Sequence, residues 1–451
     1  MSAPQTGTRA NGSSRGSRPN PMGLGLAALN RLARLGVLDR LGLRKQTEQA
    51  VYHGARTGFR TAGAIGRTFA KKPGSGRAKR PAASERTGVF DLTPSEDQQM
   101  MVGVVAEFAA EVLRPMAEKA EAAVETPNEL LQQSGELGLP LIGLPEELGG
   151  LSEQRSATTG VLVTEALAHG DMGLAVACLA PSSVATAISL WGTSAQQETY
   201  LPAFTGETVP AAALTLAEPR PLFDPFELST TATKVDGGYV LDGVKSGVVR
   251  GADAELFVVA AALDGAPALF LLESATPGVQ IEADPSMGLR AAALSRLVLD
   301  DVRVGDDALL GDASPDVYAE CVRLGRLAWS AMALGAGKAV LDYVGPYVKE
   351  RKAFGEPVAY RQSVAFTVAD IAIELEGMRL ATYRAASRAE QGLPYAREVA
   401  IAKRLCSEYG MRIGTDGVQL LGGHGFVKEH PVERWYRDLR AVGVMEGGLL
   451  V

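Results

Sequence analysis

Three strings in the second half of the chain bring together residue types that could do chemistry. Arg351-Lys352-Ala353-Phe354-Gly355 closes one helical stretch, with Gln362 soon after, and Gln419-Leu420-Leu421-Gly422-Gly423-His424-Gly425-Phe426 closes another. Arg434, Arg437-Asp438 and Glu446-Gly447 follow. A guanidinium at a helix end, with glycines nearby, offers a pyrophosphate a fork of donors and backbone N–H groups that can come close. Singly, such a string reads more readily as a helix terminus with a C-cap glycine. Their order and spacing carry more than any one of them.

Other chemistries fail on spacing. Gly335-Ala336-Gly337-Lys338 lacks the earlier glycine of a phosphate loop and reads as a helix-packing segment. Gly422-Gly423-His424-Gly425 follows no strand, which excludes the dinucleotide-binding turn of a βαβ unit. His53, His169, His424 and His430 show no metal-ligand spacing with cysteines or carboxylates, so no metal site is expected.

The strings need a scaffold, and hydrophobic periodicity supplies one. Thr93 is expected to cap a helix, with Pro94 in its first turn and Glu96 closing a T-x-x-E box. Apolar residues at Met100, Met101, Val104, Val105, Phe108, Val112 and Leu113 then mark one face of a helix ending about Pro115. Helical text from Asn128 to Leu137, Ala157 to His169 and Gly173 to Trp191 makes an all-helical block up to about Pro210. Short runs rich in Val, Leu and Thr follow. Thr230 to Val235 and Tyr239 to Leu241 flank Asp236-Gly237-Gly238, Leu256 to Leu263 meets Ala268 to Leu272 across Asp264-Gly265, and Ser295 to Val302 adds a strand. Helical periodicity returns in long segments, 318–350, 361–390 and 395–421, which imply a bundle. The expected architecture is α+β: a basic extension over 1–89, an N-terminal helical domain over 90–212, a middle antiparallel β domain over 213–314, and a C-terminal four-helix bundle over 315–451.

Composition bounds the partners. With 451 residues, 46% hydrophobic and 22% charged, the chain falls among soluble globular proteins. Cys178, Cys321 and Cys406 are too few for a disulfide scaffold and read as buried thiols in a reducing compartment. No stretch approaches the roughly 20 uninterrupted apolar residues of a membrane span, and no secretory leader is legible, so a cytoplasmic location is expected. The net charge of -7 conceals an asymmetry, because residues 1–90 hold 17 Lys and Arg against 3 Asp and Glu. The acidic remainder does not suit nucleic acid. Within the extension, the first 20 residues are expected to be disordered. Leucines at 24, 26, 29, 32, 35, 38 and 41 line one stripe of a basic helix. That helix could bring residues 22–70 to an anionic membrane surface, act in targeting, or dock on protein. Lys71 to Arg80 reads as a solvated linker.

In its block order and its strings the chain resembles the acyl-CoA dehydrogenase family, from Phe90 to Gly447. The matching strings are Ala217-Glu218-Pro219 with Asp224, Asp236-Gly237-Gly238-Tyr239 running into Asp242-Gly243-Val244-Lys245, Met287-Gly288-Leu289-Arg290, Arg351 to Gly355, Gln419 to Gly425, and Arg437-Asp438 followed by Glu446-Gly447. The resemblance implies α,β-dehydrogenation of a fatty acyl-CoA, with FAD and the thioester held between the domains. It also implies a flavin site completed across a homodimer, pairs of which form homotetramers, and an electron-transfer flavoprotein as acceptor. It makes Glu446 the carboxylate that removes the α-proton, a step that needs a base in a dry site. It places Arg351, Phe354, Gln419, Gly422 and Gly423 at the nucleotide end of FAD, and Leu216 and Ala217 beside the flavin ring. Arg326 matches an arginine near CoA, and reads equally as a structural ion pair.

Departures from the family concentrate at the flavin ring. Ala217 stands where a Thr is usual, Gly247 and Val249 where an aromatic residue and a Thr are usual, and Gly448 where a Thr follows Glu-Gly. The chain also stops at Val451 where the family continues into a helix, so the site is expected to be open on that side. At about 1 kcal/mol for each neutral hydrogen bond, and more for a stacked aromatic, FAD is expected to be held less tightly. Two functional readings follow: a working dehydrogenase with an altered flavin site, or a flavin-poor acyl-CoA-binding or assembly homologue without that activity. Oxygen-using relatives of the fold are a third. After Glu165, the helix expected to close the acyl pocket presents Ala175, Val176, Leu179 and Ala180. That lining suits a longer fatty tail, at about 0.8 kcal/mol per buried methylene, and is equally what a core helix looks like.

Overall fold

A computed structural model describes residues 93–448 except residue 207, all within the unit Thr87–Val451. The expectations for the basic extension, with its helix, linker and membrane contact, and for the last three residues lie outside the described residues.

The first helix, α1 (Glu96–Phe108), starts two residues later than the T-x-x-E spacing predicts. Ser95 is the cap: its Oγ accepts from the Gln98 amide at 3.2 Å while its own amide donates to Gln98 Oε1 at 2.9 Å. This register puts Glu96 and Asp97 in the first turn, where the helix dipole favours negative charge. Nor does the helix stop at Pro115. A π-turn, Ala109–Leu113, joins α1 to α2 (Arg114–Ala123). Pro115 thereby follows directly on the π-turn, whose widened spacing, with the Arg114 amide bonding the Ala109 carbonyl, lets the helix pass a residue that has no amide.

The remaining helices of the first domain are α3 (Asn128–Glu136), α4 (Ala157–Gly170), α5 (Met172–Trp191) and α6 (Ser194–Phe204). By length and mean hydropathy, 20 residues and 1.7, α5 passes for a membrane span, although Ser182, Ser183, Thr186 and Ser189 interrupt its apolar run. With 67% of it buried, it is a core helix. Asp171 caps it by accepting from the Leu174 amide at 3.0 Å, and pairs with Arg434 at 3.0 Å. Both charges are nearly sealed from solvent, which is tolerable only because each is paired.

The middle domain is an eight-stranded sheet of β1 (Ala212–Thr215), β2 (Thr231–Val235), β3 (Gly238–Val248), β4 (Leu256–Leu263), β5 (Ala266–Glu273), β6 (Val279–Ala283), β7 (Ser295–Gly305) and β8 (Leu309–Leu310). Its order is β6-β7-β3-β2-β4-β5-β8, with β1 beside β4. The two expected hairpins, β2–β3 and β4–β5, are antiparallel. The sheet as a whole is mixed, because β1 and β2 both run parallel to β4. No tight hairpin joins either strand to β4, so no two-residue turn dictates an antiparallel pairing. The β3–β7 register shifts between Lys245 and Val248, and within that irregularity Gly247 adopts φ 63°.

The C-terminal domain has three long helices, α7 (Pro315–Glu350), α8 (Gln362–Glu390) and α9 (Ala396–Leu420), with a short fourth, α10 (Val432–Leu439). Gly335 of α7 lies so close to the Glu165 carbonyl of α4 that no Cβ would fit, so the Gly-Ala-Gly-Lys string is indeed a packing segment. After α7, Lys352–Ala353 and Glu356–Pro357 form a small hairpin, β9–β10, whose turn residues Phe354 and Gly355 have φ 56° and 89°. All three cysteines are free and buried.

Candidate active site

A cavity of about 250 Å³ lies among α4, α5 and α7 and extends to the β3 irregularity. Val161, Leu179, Ala180, Leu324 and Trp329 give it an apolar lining, and Gly247, Met445 and Glu446 line it too.

Glu446 is only 9% exposed, and its Oε2 is buried with no hydrogen-bond partner. The backbone that carries it is unusual, with φ 52° at Glu446 and 97° at Gly447. For a non-glycine residue, such a conformation costs of order 1–3 kcal/mol and needs outside support. Support comes from three directions. Arg326 Nε of α7 donates to the Glu446 carbonyl at 3.0 Å, Lys403 Nζ of α9 donates to the Met445 carbonyl, and the Gly448 amide donates to the Phe223 carbonyl at 3.1 Å. Gly325 supplies the space: a Cβ built there would lie 2.9 Å from Glu446 Cγ. Burial pushes the Glu446 carboxyl up to about 7, against the opposing pull of the Lys403 and Arg326 charges. A carboxylate raised this far is suited to taking a proton near neutral pH.

The ring-side segment is fixed by a buried ion pair. Lys245 Nζ lies 3.0 Å from Glu218 Oε1 and donates to the Leu216 carbonyl at 3.3 Å. Glu218 also accepts from the amides of Ser229 at 2.8 Å and Thr230 at 2.9 Å. Burial raises its pKa, but the Lys245 charge and the two amides outweigh that and hold it below the usual carboxylate range. Lys245 thereby anchors the Leu216 carbonyl, while the Ser246 amide separately donates to the Ala217 carbonyl at 3.0 Å. Their side chains are not among the cavity's lining residues, whereas Leu214, Gly247 and Val249 are.

The sequence-predicted residues therefore divide into groups. Glu446 and Leu179 line the cavity, as do Val176 and Ala180, whereas Ala175 is sealed in the helical core. Arg326 braces the carboxylate's backbone. Glu165 is tied to Arg379 at 2.8 Å and to the Tyr383 hydroxyl at 2.7 Å. Arg351, Phe354, Gln419, Gly422 and Gly423 are exposed and lie outside the cavity. Tyr347, one turn before Arg351, binds the two strings to each other: its hydroxyl meets the Leu421 carbonyl at 3.3 Å and His424 Nδ1 at 2.9 Å.

Gly325, Lys403 and Met445 were missed, although two of them left a signal. Gly325 is a helix-interior glycine, costing about 1 kcal/mol relative to alanine without local benefit. Lys403 is a charge on the same stripe as the buried Val399, Cys406 and Gly410. For Met445 no signal exists; its Sδ would lie 3.3 Å from a Cβ built at Gly247.

Two helical domains around a sheet, with a desolvated carboxylate on the wall of an apolar cavity, make a site suited to proton transfer away from water. The models of the N-terminal, middle and C-terminal domains of acyl-CoA dehydrogenase match residues 95–207, 213–302 and 316–448, and the chain belongs to the acyl-CoA dehydrogenase family. The probable short/branched chain specific acyl-CoA dehydrogenase of Dictyostelium discoideum is 31% identical over 365 residues, 79% of this chain and 87% of that one. Among solved structures, butyryl-CoA dehydrogenase of Megasphaera elsdenii superposes with a TM-score of 0.74 at 30% identity, covering 80% of this chain and 97% of that one. The FAD complex of PigA gives 0.74 at 26%, covering 80% and 96%.

Proposed function

We propose that this chain carries out flavin-dependent α,β-dehydrogenation of an acyl-CoA, with Glu446 as the base that takes the α-proton. The observation that carries this is a carboxylate on the cavity wall, buried, with one oxygen unpartnered and a pKa raised by burial. Desolvation keeps that oxygen free to accept a proton, and the apolar lining excludes the water that would otherwise compete. Val176, Leu179 and Ala180 provide the apolar surface for the acyl chain.

The cavity wall fits a flavin. Gly247, Val249 and Leu214 line the cavity together with Met445, whose sulfur stands 3.3 Å from where a Gly247 Cβ would be, and this apolar wall is where a flavin ring would lie. FAD bound there supplies the hydride acceptor. Arg351, Gln419, Gly422 and Gly423 are the groups suited to its nucleotide end, and their exposure outside the cavity fits donation to a second protomer's site. A homodimer is part of the proposal. Phe366, Ile373 and Leu380, seven residues apart on α8, expose an apolar stripe that a second copy can cover. Electrons would leave to an electron-transfer flavoprotein, as the family resemblance implies.

Protein supplied with FAD is expected to show a flavin absorbance band that bleaches when an acyl-CoA is added anaerobically. A chain that neither retains nor takes up FAD would leave the acyl-CoA-binding homologue as its function. The space at Gly325 gives a second check. Gly325→Val should displace the carboxylate and lower turnover about 10²-fold, the cost of a misplacement near 1 Å, with the helical circular dichroism retained. Turnover within twofold of wild type would show that the base does not need that space.

A further inference from the structure

The two peptide planes that flank the Glu446 α-carbon are each held by a cation from a different helix, Lys403 buried and Arg326 half-buried. Lys403 Nζ of α9 donates to the Met445 carbonyl and Arg326 Nε of α7 donates to the Glu446 carbonyl at 3.0 Å. Fixing both planes fixes both soft dihedrals of the residue between them. We propose that Lys403 is a positioning residue for Glu446, acting in two ways: it locks the left-handed backbone that aims the carboxylate, and its charge keeps that carboxylate ionisable in a desolvated site. This rests on the reading of Glu446 as the base.

A carbonyl alone does not call for a lysine. Ser407, one turn along α9, satisfies the Val442 carbonyl at 3.1 Å with a neutral hydroxyl. Lys403 is only 4% exposed, and burial pulls its pKa down, so keeping a charge there is costly. What the charge adds is an opposite sign beside Glu446, whose pKa burial drives up. The groups around that carboxylate are Arg326, Tyr318 and Cys321 on α7 and Lys403 on α9, with Asp224 acting on Arg326 and Tyr318 from the loop before β2. Burial raises the Tyr318 and Cys321 pKa values, so both are neutral, and the two cations alone favour the ionised base.

The test compares Lys403→Met, which keeps length and suits a buried position, with Lys403→Arg, which keeps the charge. The acid limb of the kcat profile is followed on FAD-loaded enzyme. Independently of turnover, the pH titration of the Glu446 carboxyl infrared band is followed, assigned by its loss in Glu446→Gln. Lys403→Met should move both upward by about one pH unit or more, the usual effect of removing a neighbouring opposite charge, while Lys403→Arg stays near wild type. An unmoved carboxyl titration in a folded Lys403→Met protein would overturn the proposal, and so would an equal shift in both variants. Because the band titrates without turnover, a wild type that fails to dehydrogenate any acyl-CoA would defeat the functional reading and remain distinguishable from this result.

Discussion

Glu446→Gln is expected to lower dehydrogenation about 10³-fold while leaving acyl-CoA binding nearly intact. The substitution keeps the side chain's size beside Gly325 and the backbone bonds from Arg326 and Lys403, and removes only the ability to accept a proton. Stopped-flow reduction of bound flavin separates the two effects, since binding precedes the proton transfer. Reduction within tenfold of wild type would place the base elsewhere. The pH dependence follows with a defined sign. Glu446 works only when ionised, and burial lifts its pKa to about 7, so the rate should rise through an acid limb near pH 7. An unperturbed carboxylate would put that limb near pH 4.5. Glu446→Gln should abolish the limb together with the rate.

Lys245→Met is expected to have the largest effect on stability, about 3–5 kcal/mol, because it leaves the Glu218 carboxylate buried without its counter-charge. Both side chains are almost fully buried, at 0% and 2% exposure, so water cannot take over the lost interaction. For a protein of this size, the thermal midpoint should fall by about 5 °C. The loss should also reach the segment beside the cavity, because the Leu216 carbonyl loses its Lys245 donor. Adding Glu218→Gln removes the stranded charge and should recover part of the midpoint. A Lys245→Met protein that melts with wild type would show that the ion pair contributes nothing net.

Much of the frame was legible locally. The glycine turns at 236–238 and 264–265 set two hairpins, and helical periodicity located α7, α8 and α9 within a few residues. Pro115 was read as a stop because proline breaks a regular helix, whereas here a π-turn places it at the start of the next segment. The helix read from Gly173 to Trp191 is α5, Met172–Trp191, and packing makes it a core helix. Leu216 and Ala217 are not among the cavity's lining residues, whereas Leu214 of β1 and the residues of the β3 irregularity are.

By itself, the sequence determined the order of helical, β and helical blocks and the family, and it singled out Glu446 as the candidate base. Those follow from turn chemistry, periodicity and short strings, all of which act between near neighbours. Only the tertiary structure decided that Gly325, Lys403 and Arg326, lying 43 to 121 positions before Glu446, would meet around it. A carboxylate's proton affinity depends on the water it loses and the charges that approach, and both are properties of long-range packing.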